Sequence, residues 1–317
     1  MNKYSVIIVS WNAKDYLRNC LTSILTNGCS LLGEVIVVDN ASTDGSPEMV
    51  FREFPGVTLI QSSINLGFAG GNNLGIKQAS HNYLALINSD VIVHPGCFES
   101  LIGFLEDHEE VGLVGPRVLD REGRLQTTCR RFPTLLNTVC RTLALDRVLS
   151  RWPLLSRDRP SPPLHIESDV EVLSGCFWIA RRKAVDVVGV LDERFFFYAE
   201  DVDWCKRFRD KGWKVTFVPQ ASATHFGGGS SDNAPLRYSI EMLRANLAFW
   251  RKHNGLPGEI AYFLLSLLHH TLRLIPRGLS VLIRSHPRQE SIFKFARSQA
   301  CLRWLITGKE SLDRSTL

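Results

Sequence analysis

An α/β fold on an open parallel sheet is what the first half of this sequence predicts, on two observations. Short β-branched runs alternate with segments of helical apolar spacing, the pattern of strand–crossover–strand units. Small polar or acidic residues then recur at four successive strand ends, and in open sheets ligands bind beyond the carboxyl ends of the strands. The composition, 44% hydrophobic and 22% charged, is that of an ordinary globular protein.

Residues 5–10 read as a first, buried strand. Residues 15–25 read as a helix, with Tyr16, Leu17, Cys20, Leu21, Ile24 and Leu25 at helical spacing. A second strand over 34–39, a helix over 46–54 capped by Ser46, and a third strand over 57–61 follow. A helix over 71–79 and a fourth strand over 83–88 complete the alternation. The middle of the chain predicts a helix over 97–107, a strand over 111–116 and a hairpin turn over 120–124. From 135 to 163 the pattern weakens, with Pro153, Pro160, Pro162 and Pro163, and reads as a mobile loop over the cleft or a short linker. Strands over 171–173 and 177–180, a helix over 183–188, a helix over 201–211 and a strand over 214–218 come next.

After His225 the character changes. Residues 237–253 form a basic helix, and from 237 to the end thirteen Lys and Arg stand against five Asp and Glu, although the whole chain carries only +5. So small a net charge does not point to nucleic acid; the local excess points to an anionic surface such as phospholipid. The largely apolar run 260–283 is broken by His269, His270, Arg273, Pro276 and Arg277, too often for a spanning helix. It fits an interfacial segment, with an ordinary packed helix as the plainer alternative. The boundaries are therefore a domain over 1–235 and a helical region over 236–317. Eight scattered cysteines without metal spacing read as reduced, mostly buried thiols. The N-terminus has too short an apolar run for a signal peptide, so the expected location is cytoplasmic, peripheral on the inner face of the membrane.

The strand ends carry the candidate site. Ser10, Trp11 and Asn12 follow the first strand; Asp39, Asn40, Ser42 and Asp44 the second; Asn65, Gly67, Gly70, Gly71 and Asn72 the third; Asn88 and Asp90 the fourth. Any one set is ordinary turn chemistry, but four on one edge point to a cleft. The glycines do not match a dinucleotide fingerprint and follow the wrong strand, though a turn approached by a phosphate remains open. Downstream, the aromatics from Phe195 to Tyr198 run into Glu200, Asp201 and Asp203, acids at a helix start that either complement the helix dipole or rim a site. Asp203 fits a surface pair with Arg207 at i, i+4. Asp90 suits a hard divalent cation, Mg²⁺ or Mn²⁺, whose remaining ligands come from substrate diphosphate and water. His225 as a nitrogen ligand tilts the choice towards Mn²⁺.

Taken in order, 9–12, 38–46, 65–72, 88–90, the Glu200–Asp201 pair and His225 resemble family 2 inverting glycosyltransferases, closest to the bacterial rhamnosyltransferase branch, over roughly residues 3–253. The resemblance implies a GT-A fold, a nucleotide-diphosphate sugar donor and a divalent metal. It implies that Asp39 accepts from a pyrimidine base, and that Ser10, Asn12, Asn40, Ser42, Asp44, Asn65 and Asn72 line the nucleotide, with Asn88 touching ribose. Asp90 and His225 would hold the metal, and Asp201 would be the general base, with Glu200 gripping the acceptor. This chain departs from the family in having Asn88 where many members have an Asp. The implied reaction is transfer of a sugar to a saccharide or lipid-linked saccharide in cell-surface polysaccharide synthesis. dTDP-rhamnose is the favoured donor, and UDP-linked galactose, glucose or N-acetylglucosamine are compatible. The rival from another class is a non-catalytic nucleotide-binding or membrane-scaffold protein.

Overall fold

The computed structural model describes residues 3–145, 165–227, 235–283 and 288–308. The chain divides into two compact units, Met1–Phe132 with Asp158–Ser230, and Pro133–Arg157 with Ser231–Leu317.

The first unit is built on strands β1 (Tyr4–Ser10), β2 (Leu32–Asp39), β3 (Thr58–Gln61), β4 (Tyr83–Asn88), β5 (Val91–Val93), β6 (Val111–Leu119), β7 (Cys129–Arg130), β8 (Ser168–Asp169), β9 (Val172–Leu173), β10 (Phe177–Arg181) and β11 (Lys214–His225). Helices α1 (Lys14–Asn27), α2 (Ser46–Glu53), α3 (Gly67–Gln78), α4 (Cys97–Asp107), α6 (Arg182–Val188) and α7 (Glu200–Asp210) cover it, α5 (Leu135–Thr142) lying in the second unit. The main sheet runs β3-β2-β1-β4-β10-β6-β11-β5, with β8 on β11, while β7 and β9 form a separate ribbon.

The sequence predicts a parallel sheet, and β3, β2, β1 and β4 are parallel, but the sheet as a whole is mixed. β10 is antiparallel to both β4 and β6, and β5 and β8 are antiparallel to β11. Because β10 reverses between two strands of like direction, β6 and β11 run the same way as β4. The ends of β1, β2, β4 and β11 therefore lie on one edge.

Strand periodicity explains the layering. Tyr4, Val6 and Ile8 join Leu17, Leu21, Val50, Phe98 and Leu101 in one buried cluster. The alternate residues Ile7 and Val9 face α3, where a Cβ on Gly71 would meet Val9 at 2.7 Å and one on Gly75 would meet Ile7 at 2.4 Å. With both faces covered, β1 is buried almost throughout, and each fully buried Leu or Ile contributes roughly 1.5–3 kcal/mol. Gly70 and Gly71 thus lie inside a helix that packs closely on the sheet, rather than in a phosphate turn. Low helix propensity hides the start of α3 at Gly67.

Ser46 is not the cap of α2. Gly45 holds that position in the left-handed conformation (φ 81°), and Asp44 Oδ1 accepts from Ser46 N at 3.0 Å. The hairpin over 120–124 forms, with Asp120 N donating to Arg124 O at 2.7 Å. All eight cysteines are free thiols, seven of them buried.

The second unit contains α5 (Leu135–Thr142), α8 (Pro235–Ile283), broken where Gly255 takes φ 67°, and α9 (Arg288–Thr307). The weak pattern from 135 onwards therefore begins with a helix, nucleated by a capping box between Thr134 and Asn137. Residues 146–163 of that segment, with their four prolines, lie outside the described residues. Among the described residues no helix is long and apolar enough to cross a membrane.

Candidate active site

The carboxyl ends of β1 and β2 are tied into one platform by their own polar groups. Asn12, at φ 49°, donates through its backbone N to Ser42 Oγ (2.9 Å) and accepts at Oδ1 from Thr43 N (2.7 Å). Asp44 Oδ2 accepts from Lys14 N at 2.8 Å, at the start of α1. Burial opposes ionisation of Asp44, yet the donors from Ser46 and Lys14 prevail and hold its carboxyl below the usual range. Asn12 and Asp44 are therefore braces of the platform by their contacts, and Ser42 is held between Asn12 N and Asp39 Oδ2.

Other groups on this edge are left with unused capacity. Among the described residues, Ser10 Oγ, Asp39 Oδ1 and Asn40 Oδ1 are buried and have no hydrogen-bond partner. Asp39 Oδ2 accepts from Ser42 N at 3.0 Å, and Asn40 Nδ2 donates to Gly67 O at 2.9 Å. Buried polar groups without partners cost roughly 1–3 kcal/mol each, and a cluster of three on one edge is a place where a ligand could complete the bonding. The chain brings Ser10, Asp39 and Asn40 together in this way. Asn65 instead folds its own turn, accepting from Gly67 N at 2.9 Å, and Asn72 is buried and donates to Phe68 O at 2.9 Å within α3. Asn88 ends β4, its N donating to Cys176 O at 2.9 Å.

Strand register places the second group. β5 pairs with β11 so that Val91 lies opposite His225, which sets Asp90 beside the imidazole. His225 Nε2 and Asp90 Oδ1 are 3.3 Å apart, and Phe226 N donates to Asp90 O at 3.0 Å. On the other side of the ring Nδ1 lies 3.0 Å from Gln126 Oε1, while Gln126 Nε2 donates to His225 O at 2.7 Å. With its amide nitrogen spent on the carbonyl, Gln126 presents an acceptor to Nδ1, which therefore carries the proton. Nε2 faces a carboxylate oxygen, which it bonds when it too carries a proton and with which it can share a cation when it does not. Two acceptors at this separation fit a cation between them, since an ion about 2.1 Å from each spans 3.3 Å. Among the described residues no third His, Cys, Asp or Glu joins the pair, so further ligands would come from substrate or water. Gln126 escaped the sequence reading, as nothing in an exposed hairpin marks a residue that fixes a tautomer.

The third group is the start of α7. Tyr198 and Ala199 both take left-handed conformations (φ 72° and 65°), at a cost of order 1–2 kcal/mol each for residues with a side chain. The loop before them is anchored by Gly67 at φ 73°, where a Cβ would sit 2.3 Å from Phe196 O. Phe68 N donates to that oxygen at 2.8 Å. Phe195 is buried, and Phe68, Phe197, Tyr198, Trp178, Trp204 and Phe208 make a chain of ring contacts beneath the acids.

Glu200 and Asp201 are both buried. Asp201 Oδ1 accepts from Val202 N at 2.8 Å, and Oδ2 is gripped by the Arg130 guanidinium, which β7 supplies. Glu200 Oε2 is buried without a partner among the described residues. Burial first, and the neighbouring Asp201 charge second, push the Glu200 carboxyl well above the ordinary range, with Arg130 opposing. Arg130, like Gln126, was missed by sequence reading. It stands on a two-residue strand in a stretch without clear periodicity.

Asp203 corrects one expectation. Its pairing with Arg207 Nε at 2.8 Å is as predicted, but it is fully buried (0% exposed) rather than a surface acid. Arg207 also donates to the carbonyls of Val188 and Val190, so the pair fastens α7 to the chain leaving α6.

This mixed sheet, with polar groups gathered at the carboxyl ends of its strands, has the GT-A fold. A family model for glycosyl transferase family 2 matches residues 5–189, and the chain belongs to that family. It is 29% identical to the N-acetylglucosaminyl-diphospho-decaprenol L-rhamnosyltransferase of Mycobacterium tuberculosis over 266 residues, 79% of this chain and 85% of the relative. Rhamnosyltransferase WbbL of Escherichia coli K12 is 23% identical over 230 residues, 70% of this chain and 82% of that protein. Among solved structures, mannosyltransferase PcManGT from Pyrobaculum calidifontis, in complex with GDP-Man and Mn²⁺, matches with a TM-score of 0.58 at 15% identity. That match covers 98% of this chain and 88% of the other, and shows the shared fold.

Proposed function

We propose that this glycosyltransferase moves a sugar, rhamnose in the favoured case, from a nucleoside-diphosphate donor to a saccharide or lipid-linked saccharide acceptor, with inversion. The observation that supports it most is the set of unfilled hydrogen-bonding positions at Ser10, Asp39 and Asn40 on the same sheet edge as Asp90 and His225. The similarity to enzymes named as rhamnosyltransferases supports the sugar, and the decaprenol-linked substrate in one relative's name supports a lipid-linked acceptor.

In this reading Asp39 Oδ1 accepts the pyrimidine N–H, Ser10 and Asn40 contact the nucleoside, and Asn12, Ser42 and Asp44 hold the platform that carries it. Asp90 and His225 would hold a divalent cation, which would supply charge neutralisation for the departing diphosphate. Asp201 takes the proton of the acceptor hydroxyl as that oxygen attacks the anomeric carbon, a contribution of about 10²–10⁴-fold in rate. Both oxygens of Asp201 are engaged in the free enzyme, so the acceptor hydroxyl must share or replace the Arg130 contact. Glu200, whose carboxyl is pushed well above the ordinary range by burial and the Asp201 charge, faces the acceptor beside the base. The ring cluster beneath supplies an apolar wall, with Tyr198 placed to meet a sugar.

A thermal-shift panel of dTDP-, UDP- and GDP-sugars with and without Mn²⁺, followed by transfer of the stabilising donor's labelled sugar, tests the reading. Metal-dependent stabilisation by dTDP-rhamnose and a product of inverted anomeric configuration are expected. Stabilisation by none of the donors, or a retained anomer, would overturn it.

A further inference from the structure

From Leu256 to Pro276 every exposed position of α8 is apolar except Thr271. Leu256, Ile260, Leu264, Leu268, Leu272 and Ile275 succeed one another at four residues and finally at three, each between 43% and 73% exposed. At 1.5 Å per residue this is one helix face about 30 Å long. An exposed apolar surface of that extent marks an interaction site rather than ordinary surface scatter.

The charges within the stretch are drawn off the face. Glu259 accepts from Arg251 at 3.1 Å, and Arg273 donates to the carbonyls of Arg141 and Thr142 on α5. His269 and His270 are held neutral, at about 3 and about 4, by burial first and by nearby arginines second. The surrounding sequence is strongly one-signed, with thirteen basic residues against five acidic from 235 to 317. A long apolar helix face within a cationic segment, on a helix that does not cross a membrane, matches the chemistry of an anionic bilayer surface. A neutral protein partner has no use for the charge, and a second copy would be repelled by it.

We propose that this face of α8 docks on an anionic phospholipid surface, the helix lying in the interface with its leucines in the acyl boundary. The inference deepens the reading of a lipid-linked acceptor and rests on it for its purpose.

The test is flotation of the full chain with vesicles of phosphatidylcholine containing phosphatidylglycerol, and with phosphatidylcholine alone, in the absence of nucleotide sugar. Wild type is expected to float with the anionic vesicles and less with the neutral ones. Leu264→Glu with Leu268→Glu, both exposed positions, is expected to lose about tenfold or more of that partition, and Leu264→Ser with Leu268→Ser a smaller part. Unchanged circular dichroism and unchanged transfer to a soluble acceptor show that the variants are folded. Equal partition of variant and wild type, or wild type that stays soluble, overturns the proposal. So does a wild-type dimer that the variant converts to monomer, because the face is then a contact between copies. Flotation without transfer from any donor would instead refute the glycosyl-transfer reading and leave the docking in place.

Discussion

The two edges of the main sheet treat their polar groups in opposite ways. At the amino-terminal edge Glu34 Oε1 accepts from Ser5 Oγ (2.7 Å), Ser80 N (2.8 Å) and Ser80 Oγ (2.9 Å), with His81 Nδ1 at 2.9 Å. Burial opposes its ionisation, but these donors hold the carboxyl down at about 2. Nearby, Arg181 spends its guanidinium on Tyr83 OH and on the carbonyls of Leu105, His108 and Val111. At the carboxyl-terminal edge Ser10, Asp39 and Asn40 keep unpartnered buried oxygens, as does Glu200 at the start of α7. Glu34 and Arg181 make the first a finished edge, their polar groups met by the chain itself. The second is left unfinished at Ser10, Asp39 and Asn40, which is why the proposed nucleotide site is put there.

Substitutions at the unfinished edge are expected to strike activity, and those at the finished edge stability. The largest effect is expected from Asp201→Asn, with transfer down about 10³-fold and donor binding retained. Turnover within a few-fold of wild type would move the base elsewhere, Glu200 being the first candidate. Asp90→Ala comes next: calorimetry is expected to show roughly 10–100-fold weaker nucleotide binding in Mn²⁺ and little change in chelator. Equal affinity in both would remove the pair from metal binding.

Glu200→Gln separates strain from function. The folded-state pKa of Glu200 is raised, so the folded chain keeps a proton that the unfolded chain releases above about pH 4.3. That contribution to stability is complete below the unfolded value and is lost as pH rises through the folded one. The glutamine variant, which has nothing to ionise, is therefore expected to gain on wild type as pH rises from 4 to 8 and to gain nothing at pH 4. Equal denaturation midpoints at both pH values would refute the burial argument. At the finished edge the sign reverses. Glu34 has a lowered pKa, so its stabilisation is present above the ordinary carboxylate value and is lost as pH falls through about 2. Glu34→Gln is expected to cost about 1 kcal/mol at pH 7 with transfer unchanged, and a loss of transfer without loss of stability would contradict the division of roles.

Much of this was legible in the sequence because turn and strand chemistry is local. The ends of β1, β2 and β4, the acids of α7 and the Asp203–Arg207 spacing all announce themselves within a few residues. What escaped depends on distant partners. The reversal of β10 is not encoded in its five-residue apolar run, which reads the same in either direction. Arg130 gains its meaning from Asp201, 71 positions away. The burial of Asp203 follows from α7 being enclosed on nearly every side, which an i, i+4 pair does not reveal. The capping box that starts α5 was visible as Thr134 and Asn137, but the prolines further on obscured it.

The unfinished edge stands or falls most directly on Asp39. Calorimetric titration of dTDP and UDP in Mn²⁺ into wild type, Asp39→Asn and Glu34→Gln compares the two edges in one experiment. Asp39→Asn is expected to bind at least about tenfold more weakly, having lost a charged acceptor for the base, while Glu34→Gln binds as wild type does. Wild-type affinity in Asp39→Asn would contradict the claim that the unpartnered oxygens of this edge are the nucleotide site.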